Sequence, residues 1–200
     1  QDIRDILERS SARETAARVA AGALAKQFLA ACGVEIVSQV VNIGGITATS
    51  RQREKMLRGD AASALNCFDP VAEEQMKERI KEAAKDGDTL GGVFEVAVRG
   101  VPVGIGSHIQ WDRRLDARLA AAFMSIQAVK GVEIGDGFRL ADLPGSMAHD
   151  ELYMDDRNRV YRRTNHAGGI EGGISNGEEI VLRAVMKPIP TLMKPLASVD

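Results

Sequence analysis

Apolar and polar positions repeat with two different periods along this chain, and the switches between them lay out its elements. From Ser11 to Ala31 the apolar positions Ala16, Val19, Ala20, Ala23, Leu24 and Leu29 recur at helical spacing in an Ala-rich stretch that stops at Gly33. Ser11 followed by Glu14 three residues later has the form of a capping box and puts the helix start there. Val34 to Ile43 is dense in β-branched residues and predicts a strand buried on at least one face. Asp69-Pro70 reads as N-cap and first residue of a helix to about Asp86, ended by Gly87. Thr89 to Arg99 predicts a strand, and Gly100-Val101-Pro102-Val103 a turn into a second short one. Asp112 to about Gln127 is another Ala/Leu-rich helix, with Leu115, Leu119, Ala122, Phe123 and Ile126 on one face, and Val129 to Ile134 is again a strand.

Two stretches lack a period. Residues 44–68 include the charged run Arg51-Gln52-Arg53-Glu54-Lys55, which fits either a loop or a short exposed helix. Residues 135–162 mix Gly, Pro, Asp and Met with the isolated His149 and read as a long irregular segment, functional or mobile. The tetrapeptide Gly33-Val34-Glu35-Ile36 recurs as Gly131-Val132-Glu133-Ile134, each time after an Ala-rich helix; four residues are weak evidence for duplication, but a helix–strand unit used twice fits internal pseudo-symmetry. The predicted class is α+β, with mainly antiparallel sheets packed on helices and internal pseudo-symmetry.

Composition narrows the function. With 200 residues, 44% of them hydrophobic, the chain can bury a core, which only 4% aromatics leaves to Ala, Val, Leu, Ile and Met. A net charge of −2 argues against a general nucleic-acid binder, so an anionic small molecule would need a local arginine cluster. Cys32 and Cys67, the only cysteines, are expected free and buried in a reducing cytoplasm. No apolar run reaches the ~20 residues of a membrane span. No His/Cys spacing suits a metal, and no serine-hydrolase elbow is present. The chain opens inside a charged, helix-like stretch without Met and reads as the core of a longer protein.

The candidate chemistry lies in two motifs. Arg163-Thr164-Asn165-His166-Ala167-Gly168-Gly169-Ile170-Glu171-Gly172-Gly173-Ile174-Ser175-Asn176-Gly177 holds four glycines within six positions, either a plain turn or a backbone made approachable by a flat or anionic ligand. Asn176-Gly177 offers a hairpin turn, with Glu179 to Met186 as the returning strand. No Lys-Ser/Thr follows the glycines, as a P-loop would need, and no helix opens there, as a dinucleotide fingerprint would need. Arg9-Ser10-Ser11-Ala12-Arg13 stands at a helix start, either as a solvated cap or as an anion site. His166 could donate to a ligand or hold the loop backbone. His108, beside Trp111, suits capping or packing, and His149 suits solvent.

These two motifs, with Gly87-Asp88-Thr89-Leu90-Gly91-Gly92, the stretch Met124 to Phe138, and Lys187-Pro188-Ile189-Pro190-Thr191, resemble chorismate synthases in wording and in order. The resemblance implies the following expectations. The fold would be that family's β-α-β sandwich, with residues 1–200 the core of a single domain. The activity would be 1,4-trans elimination of phosphate from 5-enolpyruvylshikimate 3-phosphate to chorismate, in the shikimate pathway to aromatic amino acids. Reduced FMN would be the cofactor, NADP is also associated with the family, and the enzyme would be a cytoplasmic homotetramer without metal, nucleic acid or membrane. Flavin contacts carry over to Arg9, Ser10, Ser11, Gln127, Ala128, Gly172, Lys187, Pro188, Ile189, Pro190 and Thr191, and an anionic-substrate contact to Arg13. The family's N-terminal glycine/serine/histidine motif, a second histidine shortly before the Arg-Ser-Ser block, and the aspartate of a C-terminal arginine-aspartate motif are not among these residues. The resemblance therefore assigns no catalytic residue here, and a flavin-binding or oligomerising core without turnover stands as the alternative.

Overall fold

The computed structural model describes residues 2–49 and 63–197, so the Arg51–Lys55 run lies outside the described residues. The chain begins with α1, Ile3–Ser10, capped by the Asp2 carboxylate on the Arg4 N–H. One 3-10 turn, Ala12–Glu14, then leads into α2, Thr15–Ala31. The expected helix start is thus a break between two helices, and the capping box is half formed. The Ser11 hydroxyl accepts the Arg13 N–H at 3.3 Å, but the Ser11 N–H already donates to the Leu7 carbonyl and leaves Glu14 nothing to return to. No residue of α2 is buried, and Val19, Leu24 and Phe28 of its apolar stripe are about two-thirds exposed (65%, 71% and 69%).

The end of α2 follows the prediction. Gly33 at φ +80° donates to Ala30 O while the Val34 N–H reaches back to Leu29 O, a Schellman closure. Strand β1, Glu35–Ile43, turns through Gly44-Gly45 into β2, Ile46–Thr47, in antiparallel register Asn42↔Thr47. Helix α3, Pro70–Lys85, begins where Asp69 Oδ1 accepts the Val71 and Ala72 N–H groups at 3.2 and 3.1 Å. It ends in a second Schellman closure at Gly87, where Asp88 N–H donates to Ala83 O at 2.9 Å.

Strand β3 is Gly92–Arg99, shorter than expected, because residues 87–91 form a loop with bonds of their own. The predicted second strand after Gly100 reduces to one bridge, Gly106↔Ile174. Helix α4 is Leu115–Met124: Arg114, at ψ 135°, separates it from a 3-10 turn at Trp111–Arg113, and Ser125 ends it. Leu115, Leu119 and Phe123 pack as expected, while Ala122 is exposed. Strand β4, Val129–Ile134, matches the prediction.

The segment read as irregular has structure. It holds a 3-10 turn at Gly137–Asp142, a short helix α5, Gly145–Ala148, and a hairpin of β5, Leu152–Met154, with β6, Val160–Arg162. Asp155 Oδ1 accepts the Arg157 and Arg159 N–H groups at 2.9 and 2.8 Å and closes that hairpin's turn. Three-residue strands are too short to show a period. The two-stranded ribbon of β7, Ile170–Glu171, and β8, Ile174–Ser175, turns at Gly172-Gly173. Asn176-Gly177 is therefore not a hairpin turn. The Asn176 side chain accepts the Glu178 N–H and redirects the chain into β9, Ile180–Met186.

The main sheet has the order β2-β1-β3-β9-β4, beside the β5-β6 and β7-β8 ribbons. The residues group into two compact units, Gln1–Ile36 with Ala97–Gln127 and Val132–Arg183, and Val37–Val96 with Ala128–Gly131 and Ala184–Asp200. The first is centred on Ile170, Ile180 and Leu182, against which α4 packs. The second is centred on Cys67, Ala72 and Met76, with Val40 and Ile43 of β1. Both cysteines are free, but only Cys67 is buried; Cys32, capping α2, is exposed.

A helix leads into a strand more than twice, as in α2 into β1, α3 into β3 and α4 into β4, so that succession does not single out two copies. The repeated tetrapeptide is also out of register: Gly33 is the turn before its strand, whereas Gly131 lies inside β4. The left-handed position before β4 is instead Ala128, at φ +69°.

Candidate functional site

In the first unit, the glycine-rich motif separates into glycines that pack and one that does not. A Cβ on Gly168 would lie 2.2 Å from Gly135 N, on Gly169 2.7 Å from Glu179 O, and on Gly173 2.7 Å from Arg114 Cγ. Each approach is closer than any side chain tolerates, so these three serve backbone packing. Gly172, at φ +59°, has nothing within 4 Å of its Cβ position. Its glycine is required by the turn, and the space over it is open.

The loop around these glycines is held by aspartates. Asp150 accepts the His166 N–H at 2.8 Å, the Ala167 N–H at 2.9 Å and the Thr164 hydroxyl at 2.6 Å. Burial pushes the Asp150 carboxyl up, but these donors and the nearby His166 outweigh it and hold the group below the usual carboxylate value. His166 Nδ1 meets Asp136 Oδ2 at 2.8 Å, so the ring is anchored by a carboxylate rather than by loop backbone. His108 and His149 are exposed.

The turn that follows the Arg-Ser-Ser block meets the residues after α4. Glu14 accepts Gln127 Nε2 at 2.7 Å and pairs with Arg18 at 3.6 Å, and Arg18 also donates to the Ser125 hydroxyl at 2.8 Å. Glu14, which the sequence suggests only as part of a cap, thereby links the start of α2 to Gln127. The Ser10 hydroxyl donates to Ile6 O, and Arg13 is ion-paired with Glu8. Arg9 lies in the last turn of α1, and its side chain is outside the description. Gly172 is tied to the other end of α4, since the Leu115 N–H donates to Gly173 O at 2.8 Å.

In the second unit, Ala128 O accepts the Lys187 N–H at 2.9 Å, which joins two further predicted residues. Pro188 and Pro190 follow without N–H groups, and the Lys187–Thr191 segment leaves β9 exposed along its length. The Lys187 ammonium has no hydrogen-bond or ion-pair partner among the described residues. A cavity of about 470 Å³ lies beside this segment, walled by apolar side chains of α3, β1 and β3 such as Ile80, Ile43 and Phe94. Lys187, Asp88 and Thr89 are its polar residues.

Among the described residues no group of three or more His, Cys, Asp or Glu could hold a metal ion. Among them, too, no helix is long and apolar enough to cross a membrane.

Comparison with known proteins agrees over the whole chain. Residues 1–200 match the family model described as chorismate synthase. The chain is 59% identical to the chorismate synthase of Geobacter sulfurreducens, covering 100% of this chain and 53% of that protein. It is 57% identical to that of Desulforamulus reducens, covering 100% and 52%. A solved crystal structure of chorismate synthase superimposes with a TM-score of 0.88 at 49% identity, over 95% of this chain and 60% of that one. The chain thus spans about half the length of the curated relatives it matches. An α+β fold of mixed helices and antiparallel ribbons, and motifs of that family along its full length, lead to one conclusion: the chain belongs to the chorismate synthase family.

Proposed function

We propose that this chain supplies much of the flavin bed of a chorismate synthase, the lyase that eliminates phosphate from 5-enolpyruvylshikimate 3-phosphate to give chorismate. The observation that carries the reading is the family match along all 200 residues at 59% identity to a named chorismate synthase. In this reading residues 1–200 are the core of one domain, and the whole enzyme is a cytoplasmic homotetramer, with NADP associated with its flavin supply. The exposed apolar residues of α2 support assembly with further protein.

Each unit by itself carries groups of a kind that suits reduced FMN. Gly172 offers backbone with open space over it, Lys187 carries an unpartnered charge, and Ser10 and Ser11 bring hydroxyls beside a helix end. Arg9, Gln127, Ala128 and the Pro188–Thr191 segment complete the proposed contacts. The chemistry that reduced flavin would supply when bound is electron density toward the departing phosphate and an acceptor for the C6 hydrogen. This chain's part is to bind and orient: Lys187 neutralises anionic charge on the cofactor, and Gln127 is held in place by Glu14. Arg13 is proposed to face the anionic substrate, which requires exchanging its Glu8 partner for a substrate anion. The family's proton-transferring histidines and aspartate have no counterpart here, so the 200 residues alone are proposed to bind without turnover.

Titration of the chain with reduced FMN tests the binding. Micromolar or tighter binding, weakened at least about tenfold by Lys187→Ala, is expected from loss of a charge-assisted contact of ~1.5–3 kcal/mol. Unchanged affinity in Lys187→Ala and in Ser11→Ala would remove these residues from the site.

A further inference from the structure

Resting on the cofactor reading above, we infer that the glycine-rich loop of residues 87–91 is the template that fixes the Lys187–Lys194 segment, with Thr89 as its positioning residue. Neither proline of that segment has an N–H, so beyond Lys187 the backbone cannot continue a strand ladder. The loop takes over at that point. The Thr89 hydroxyl donates to the Ile189 carbonyl at 2.7 Å, between the two prolines. Gly87 O accepts the Met193 and Lys194 N–H groups at 3.1 and 3.3 Å.

Two glycines make the approach possible. A Cβ on Gly91 would stand 2.7 Å from Met186 O and 3.1 Å from Pro188 Cδ, so only glycine lets the segment lie against the loop. Gly87, at φ +66°, closes α3, and a Cβ there would lie 3.0 Å from Met193 Cβ. Asp88 steadies the arrangement by accepting the Thr89 N–H at 2.8 Å. The loop therefore grips the segment on both sides of Pro190 and sets the direction in which Lys187 and Ile189 leave β9. Loop and segment also share the wall of the 470 Å³ cavity, so the same contacts keep that wall in place.

The test compares the unaltered chain with Thr89→Val, Thr89→Ser and Gly91→Ala by amide hydrogen exchange and by anaerobic titration with reduced FMN as the probe. In Thr89→Val the Met193 and Lys194 amides are expected to exchange about tenfold faster. The Lys187 amide, held by Ala128, should stay within about twofold. FMN binding should weaken roughly three- to tenfold, the worth of one hydrogen bond. Thr89→Ser should restore both values, which a merely space-filling role would not do, and Gly91→Ala should act in the direction of Thr89→Val. Unchanged exchange at Met193 and Lys194 in both Thr89→Val and Gly91→Ala would overturn the template. Faster exchange with unchanged flavin affinity would overturn the positioning role. If the unaltered chain bound no FMN, the cofactor reading would fail by itself, and the exchange result would still decide the template.

Discussion

Gly172 and Gly173 are neighbours with opposite jobs, and the difference is measurable. Alanine at Gly172 meets only the backbone penalty of a positive φ, about 1 kcal/mol. Alanine at Gly173 must also push aside Arg114 and Ser107 O, which a Cβ would approach to 2.7 and 2.9 Å, and should cost at least about 2 kcal/mol. Urea denaturation should therefore rank Gly173→Ala as the less stable variant, while flavin titration should rank Gly172→Ala as the weaker binder. One variant worse in both would return the motif to a plain turn. Asp150 gives a second test at this scale. Its carboxyl is held below the value of about 3.9 expected unfolded, so its contribution is complete above that pH and is lost as pH falls through the folded value. Asp150→Asn should cost about 1–2 kcal/mol at pH 7, with the gap to the unaltered chain narrowing below about pH 4. A gap that stays constant down to pH 2.5 would mean that the three donors on Asp150 do not favour its charged form.

The two helices whose ends are written in the sequence were legible in advance at those ends. Asp69-Pro70 and Gly87 bound α3 because cap, fixed proline φ and left-handed glycine are each local properties of the chain, and Gly33 closes α2 for the same reason. Asp69→Ala should accordingly cost about 1–2 kcal/mol in thermal or urea unfolding, since two helix N–H groups and Thr49 lose their acceptor. A loss below about 0.5 kcal/mol would mean that water replaces the cap. What depended on distant partners was not legible. Ser11 looked like a box because the helix-like opening stretch carries no local sign of how far it runs, and the last turn of α1 uses the Ser11 N–H. The β5–β6 hairpin hid because its strands have three residues each, and its order comes from Asp155 and the Tyr153–Tyr161 pair, with ring centroids 5.7 Å apart. The site divides along the same line. The proposed flavin contacts were nameable through family wording, but what Glu14 and Thr89 each hold depends on bonds spanning 113 and 100 positions.

At the scale of the whole molecule, the composition and the site make one argument. A chain of net charge −2 can hold an anion only through placed groups, and the proposed flavin contacts at Lys187, Ser10, Ser11 and Gly172 are of that kind rather than a basic face. In the proposed reading the family's acid/base groups are not among these 200 residues. General acid–base catalysis typically contributes about 10²–10⁴-fold, and the proposed substrate arginine is already paired with Glu8. The most direct test is formation of chorismate by the 200-residue chain, confirmed by mass, under anaerobic conditions with 5-enolpyruvylshikimate 3-phosphate and excess reduced FMN. The account predicts flavin binding with no chorismate above the enzyme-free control. Steady production of chorismate would contradict it, and would move proton transfer onto a residue present here, with His166 and its Asp136 partner at 2.8 Å the first to be replaced.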